Sequence, residues 1–171
     1  KVMTAADLDA GKEFGRYLDV DGDGIPYRTY PGTHPTKGSF FTRGTSRDRY
    51  ARYTEEGAPY VDNMQRLIRK FDTAKDLVPR PLQANSAKPT KYGVLYYGST
   101  APAMDEAIAM IEGGGHALDR MRIRAFPFHS SVNSFVAGHD FVFVVKQNRD
   151  AQLRSLIVNE CGIDPVRLVP I

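Results

Sequence analysis

The sequence predicts an α/β fold: a three-layer domain with a mostly parallel sheet, preceded by an irregular N-terminal extension and one long helix. Three observations predict it. From Tyr92 onward, short apolar runs alternate with stretches of helical period, the beat that builds parallel sheets through right-handed crossovers. The run Phe141-Val142-Phe143-Val144-Val145 is an unbroken series of β-branched and aromatic residues, as in a strand covered on both faces. Before Tyr92, one apolar stripe of helical spacing stands in surroundings broken by Pro and Gly.

Taken in order, Asp7 to Lys12 suggests a short helix ended near Gly11. Asp19-Val20-Asp21-Gly22-Asp23-Gly24 sets three carboxylates at alternate positions before a Gly, like the first half of a calcium loop. The second half departs from that loop, because its twelfth position is Tyr30 and Pro26 interrupts it. Two readings stay open for Asp19, Asp21 and Asp23: a tight turn whose carboxylates cap backbone amides, or ligands to a hard cation. From Ile25 to Gly57 the chain is irregular but rich in aromatics, so it is expected to lie against another surface. Pro59 opens a helix over about 59–78, with Tyr60, Met64, Leu67, Ile68, Phe71 and Leu77 as its packing stripe, against this domain or against absent chain, and Pro79 and Pro81 as its stop. Residues 81–91 are a linker.

Four strands and three helices follow. Strands are expected at about Tyr92–Tyr97, Met121–Phe126, Phe141–Val145 and Val166–Val169. Thr100 is placed to cap the first of these helices, which Gly113-Gly114-Gly115 ends. A short helix carries Val132, Phe135 and Val136, and another follows Asp150.

Composition narrows the function. Hydrophobic residues make up 42% and charged residues 25% of the 171-residue chain, which indicates a globular protein. No apolar run approaches the ~20 residues of a membrane helix, so no membrane partner is expected. The net charge of +3 is spread along the sequence, and no nucleic-acid motif accompanies it. The single Cys161 excludes a disulfide framework or a multi-cysteine cluster and suits the cytoplasm. The first residues, Lys1-Val2-Met3-Thr4, show neither an initiator Met nor a secretory pattern, so a piece of a longer chain is expected. Gly98-Ser99-Thr100 is a strand-to-helix turn, either an anion cradle or an ordinary connection, and is not a Walker motif. None of His34, His116, His129 and His139 has metal-ligand spacing, and no nucleophilic catalytic set is visible. The residues alone point to no catalytic group.

Two stretches resemble the α subunit of the 2-oxoacid:ferredoxin oxidoreductases, especially the 2-oxoglutarate type. One is Arg16-Tyr17-Leu18-Asp19-Val20-Asp21-Gly22-Asp23-Gly24-Ile25-Pro26-Tyr27-Arg28, with Phe41-Thr42-Arg43-Gly44 and Tyr50 to Thr54. The other is Arg122 to Phe128, with Val144-Val145-Lys146-Gln147-Asn148-Arg149-Asp150-Ala151-Gln152-Leu153-Arg154. The chain departs at Lys146, where relatives place Glu, and at Ser46-Arg47-Asp48-Arg49, where relatives often show Gly-His-Asp-Glu. The resemblance implies oxidative decarboxylation of a 2-oxoacid on thiamine diphosphate, acyl transfer to coenzyme A and electron flow through an iron–sulfur cluster to ferredoxin. It implies that residues 1–80 are the tail of a thiamine-contacting domain and 92–171 a transketolase-C-terminal-like domain. Thiamine diphosphate, its Mg2+ and the cluster would then belong mostly to other domains or subunits. The expected partners are the β subunit, the missing N-terminal α-subunit domain and, indirectly, ferredoxin, with a homodimer of α/β pairs as the assembly; the fragment alone would be inactive. Within this resemblance Asn148, Arg149, Gln152 and Arg154, at the carboxyl edge of the sheet, are the candidate cofactor contacts, with subunit docking or helix capping as the alternative.

Overall fold

The computed structural model describes residues 1–171, which divide into two compact units, Lys1–Ala74 and Lys75–Ile171. The division falls inside a helix, whereas the sequence suggested a boundary in 81–91.

The first unit has one short helix, α1 (Ala5–Asp9), and most of a long one, α2 (Gly57–Leu77). Thr4 and Asp7 close a reciprocal capping box around the start of α1, satisfying amides that the first turn leaves open. Outside the helices this unit makes only isolated bridges, Val2 with Arg28 and Arg47 with Tyr53. The irregular course expected for 25–57 is therefore present, tied down by side chains instead of by a ladder.

The long helix buries polar residues here, while the apolar stripe expected to pack, on this domain or on absent chain, stays open. Its buried residues are Asn63 and Arg66, whereas Tyr60, Met64, Ile68, Phe71 and Leu77 of the apolar stripe are all exposed. Hydrogen bonds explain this burial. Asn63 Nδ2 donates to Arg47 O at 2.6 Å, Arg66 Nη1 to Gly24 O at 3.0 Å, and Thr73 Oγ1 to Asp23 O at 2.6 Å. The loop offers α2 its backbone carbonyls, so the polar Asn63 and Arg66 are the helix residues that bury.

The second unit is built on a five-stranded sheet: β1 (Leu82–Ala84), β2 (Tyr92–Tyr97), β3 (Asp119–Ile123), β4 (Phe141–Val144) and β5 (Leu168–Pro170). Its order is β1-β3-β2-β4-β5, parallel except for β1, which pairs antiparallel with β3 through Leu82↔Arg122. The expected linker thus contributes an edge strand; its three residues are all exposed, which removed the apolar signal that marks strands. Helices α3 (Ala101–Gly113), α4 (Ser131–Ala137) and α5 (Gln152–Cys161) lie on both faces.

Alternation along the strands sets the two cores. Leu95, Met121, Ile123, Val142 and Val144 face α4 and α5, meeting Val132, Phe135, Val136, Leu153 and Ile157. Val94 and Tyr96 face the other way, onto Ala101, Met104 and Ile108 of α3. Each fully buried side chain of this size contributes about 1.5–3 kcal/mol. Gly93 is needed where α4 comes closest: a Cβ there would lie 2.8 Å from the Phe135 ring.

Three details differ from the expectation. Thr100 makes no side-chain capping bond; it is buried at the end of a 3-10 turn, Gly98–Thr100, that runs straight into α3. β3 ends at Ile123, ahead of the turn at Phe126-Pro127, whose peptide bond is cis. The final strand begins at Leu168, because Asp164 Oδ1 accepts from Val166 N and winds Pro165–Arg167 into another 3-10 turn.

Candidate functional site

The sheet order brings the chain from β2 to β3 on one side and back past β2 to β4 on the other. The carboxyl ends of β2 and β4 therefore flank a switch point, where α/β sheets open a crevice. A cavity of about 540 Å³ lies along this edge, lined by Tyr97 and Gly98 at the end of β2, Arg122 to Phe126 at the end of β3, and Lys146, Gln152 and Leu156 beyond β4. A smaller hollow of about 300 Å³ adjoins it, between Gly98–Thr100 and Lys146–Asn148.

The charge of this rim has one sign. Arg122, Arg124 and Lys146 line the larger cavity and no Asp or Glu does. Lys146 Nζ sits 5.4 Å from the Tyr97 ring centroid and 3.4 Å from Gln152 Oε1, which holds the ammonium at the mouth. Gly98, at φ +64°, leaves the turn without a side chain where the two hollows meet. The arrangement suits an elongated anionic ligand with an apolar portion, since Leu153, Leu156 and Phe128 supply the inner wall.

The four side chains singled out from the sequence separate into three situations. Asn148 and Gln152 lie on the rim: Asn148 Nδ2 donates to Gln152 Oε1 at 3.2 Å, and Gln152 N donates to Asn148 Oδ1 at 3.4 Å. Asn148 thereby caps α5, whose preceding residue Ala151 is left-handed at φ +47°. Arg149 points into solvent and pairs with its neighbour Asp150 at 2.6 Å. Arg154 turns back into the fold, donating from Nε to Leu168 O at 2.8 Å and from Nη2 to Pro165 O at 2.7 Å, so it latches α5 to the approach to β5. Arg122, Arg124 and Lys146 were not chosen as site residues. The legible signal was their position toward the ends of strand-like runs, at the edge where ligands gather.

His129 has both ring nitrogens engaged at the start of α4. Nδ1 meets Ser131 Oγ at 3.0 Å and accepts from Ser131 N at 3.2 Å, while Nε2 lies 3.5 Å from Asp76 Oδ1. His139 is buried between Phe135 O (2.7 Å) and Asp119 Oδ2 (3.1 Å). Both are structural couplings.

In the first unit, Asp19, Asp21 and Asp23 find partners in the protein. Asp19 Oδ2 accepts from Gly24 N at 3.0 Å and pairs with Arg69 at 3.3 Å; Asp23 Oδ1 accepts from Ile25 N at 2.9 Å. Lys1 Nζ bridges Asp21 and Asp23 at 2.7 and 2.6 Å. The ammonium beside them holds both carboxyl groups below the ordinary carboxylate range. No group of three or more His, Cys, Asp or Glu side chains is arranged to hold a metal ion.

No family model and no curated protein sequence matches the chain. Among solved structures, its fold matches 2-oxoglutarate:ferredoxin oxidoreductase from Magnetococcus marinus, determined with 2-oxoglutarate, coenzyme A and succinyl-CoA bound. The TM-score is 0.77 at 19% identity over 94% of this chain, which spans 28% of that one. The chain therefore has the fold of part of that oxidoreductase.

Proposed function

We propose that this chain is a piece of the α subunit of a thiamine-diphosphate-dependent 2-oxoacid:ferredoxin oxidoreductase, with 2-oxoglutarate as the oxoacid. The reading rests on one agreement: the fold match over 94% of the chain falls on the same enzyme type that the residue runs 16–28 and 144–154 resemble. The complete enzyme, in the cytoplasm, would oxidatively decarboxylate the oxoacid, transfer the succinyl group to coenzyme A and pass electrons to ferredoxin. The β subunit and the α-subunit domain ahead of residue 1 are the partners this requires.

The groups implied differ in how well they fit this chain. An iron–sulfur cluster needs several thiolates, and Cys161 is the sole cysteine, so the cluster is held elsewhere. No three His, Cys, Asp or Glu side chains are grouped to hold the Mg2+ that accompanies thiamine diphosphate. Coenzyme A does fit the rim: Arg122, Arg124 and Lys146 present unopposed positive charge along a cavity of about 540 Å³ with an apolar wall. Coenzyme A supplies the thiol that accepts the acyl group; the role of this chain is to hold its phosphates with those cations and to orient it with Gln152 and the open turn at Gly98.

The test is reconstitution of the full-length subunit with its β partner under anaerobic conditions. The expected result is coenzyme-A-dependent oxidation of 2-oxoglutarate with ferredoxin reduction; absence of that activity overturns the assignment and leaves a non-catalytic interaction module. Arg124→Met and Lys146→Met are each expected to raise KM for coenzyme A about tenfold with kcat little changed, the loss of one charge-assisted contact. A fall in kcat at constant KM would assign the rim to assembly.

A further inference from the structure

A second concave site lies wholly within the first unit, and neither the residue resemblance nor the rim accounts for it. A cleft of about 330 Å³ is bounded by the turn at Arg16 and Tyr17, the segment Thr45–Arg47 and the face of α2 from Tyr60 to Lys70. Its charged lining is Arg16, Arg47, Arg66 and Lys70; no carboxylate lines it. Three of these cations surround one ring: the guanidinium carbons of Arg16, Arg47 and Arg66 lie 5.2, 5.7 and 5.6 Å from the centroid of Tyr17. Every pair among them therefore lies within about twice that distance, so the three share one positive field at the cleft.

Two buried groups make this an unfinished arrangement. Arg66 is 8% exposed and has no carboxylate in salt-bridge contact; its Nη1 donates to Gly24 O at 3.0 Å and its Nε reaches Asn63 Oδ1 at 3.4 Å. A guanidinium carries five N–H donors, so donors remain. Asp19 offsets part of the charge; its Oδ2 serves Gly24 N and Arg69, and its Oδ1 is buried without a hydrogen-bond partner. The second group is Ser46 Oγ, a buried hydroxyl with no hydrogen-bond partner, on the wall of the same cleft. Both residues border the one cleft, and a buried polar group is ordinarily met by protein, water or a bound group. Arg47 is already fixed, donating to Tyr17 Oη at 3.1 Å and to Gly44 O at 2.6 Å, so the donors are held in place before any ligand arrives.

We propose that this cleft, formed by Arg16, Ser46, Arg47, Arg66 and Lys70, binds a compact oxyanion of the phosphate type, as inorganic phosphate or the head of a small phosphate ester. Several converging forks and a hydroxyl match the several oxygens of a tetrahedral dianion, which neutralises more of the trapped charge than a monocarboxylate does. The volume accommodates the oxyanion with a small organic group and no more. The proposal does not depend on the oxidoreductase reading; either stands if the other fails.

Titration calorimetry on the 171-residue chain tests it, with inorganic phosphate and glycerol 3-phosphate as probes against potassium chloride at equal ionic strength. Saturable one-to-one binding of phosphate or of the ester, absent with chloride, is expected; the tighter of the two identifies the form of the ligand. Ser46→Ala is expected to weaken binding about tenfold, the scale of one hydrogen bond to a charged group. Lys70→Gln, at an exposed position where folding is not at stake, is expected to weaken it severalfold, and circular dichroism checks that both variants fold. Absence of saturable binding by either probe overturns the proposal, as does unchanged affinity in both variants. Binding of an oligoglutamate peptide but of neither phosphate probe also overturns it, by showing that the cleft receives a partner's carboxylates.

Discussion

Gly24 lies against α2 at φ +78°, and a Cβ there would stand 2.2 Å from Lys70 N and 2.7 Å from Arg66 O. Those obstacles are helix backbone, which cannot swing aside. Gly24→Ala is therefore expected to cost about 2–4 kcal/mol, combining left-handed strain with overpacking, read from urea denaturation. His139 offers a contrasting case, since its worth lies in two hydrogen bonds, to Phe135 O and Asp119. His139→Leu should lose about 1–3 kcal/mol, because Asp119 stays in a half-buried site with one partner fewer. The carboxylates at Asp7, Asp21 and Asp23 give a pH signature. Hydrogen bonds from Lys12 to Asp7, and from Lys1 to the other two, lower all three in the folded chain. A lowered folded value means that the stabilisation is present above the unfolded carboxylate value, about 4, and fades as pH falls through the folded values. Chemical shifts of residues 4–7 and 19–24 should accordingly report loosening on the acid side.

At the level of elements, the parallel strands and their helices were legible because each carries its own apolar code: β4 reads Phe-Val-Phe-Val, and α3 is ended by glycines. What could not be read follows from partners far away in sequence. β1 has three exposed residues and exists through its pairing with β3, so nothing local announces it. The orientation of α2 was hidden for the same reason: its apolar stripe suggested a buried face, but Asn63, Arg66 and Thr73 bind carbonyls of loops 16 to 50 residues away in sequence. Asn148 and Gln152, named from the family resemblance, lie on the candidate rim, whereas Arg154, named with them, hydrogen-bonds inward as a latch. Arg154→Met should lower stability by about 1–2 kcal/mol by freeing α5 from the β5 approach. It should leave the affinity of the reconstituted enzyme for coenzyme A unchanged, a pairing that separates latch from ligand contact.

For the molecule as a whole, the sheet topology has a kinetic corollary. β2 is the central strand, its apolar Val94, Leu95 and Tyr96 buried on both faces, yet its two neighbours are the later-synthesised β3 and β4. On the ribosome this segment must wait, both edges unpaired, until much of the remaining polypeptide has emerged. Such delayed pairing slows folding and opens an interval for intermolecular association. Refolding yield should consequently drop as protein concentration rises, and a chaperone that shields extended apolar segments should restore it.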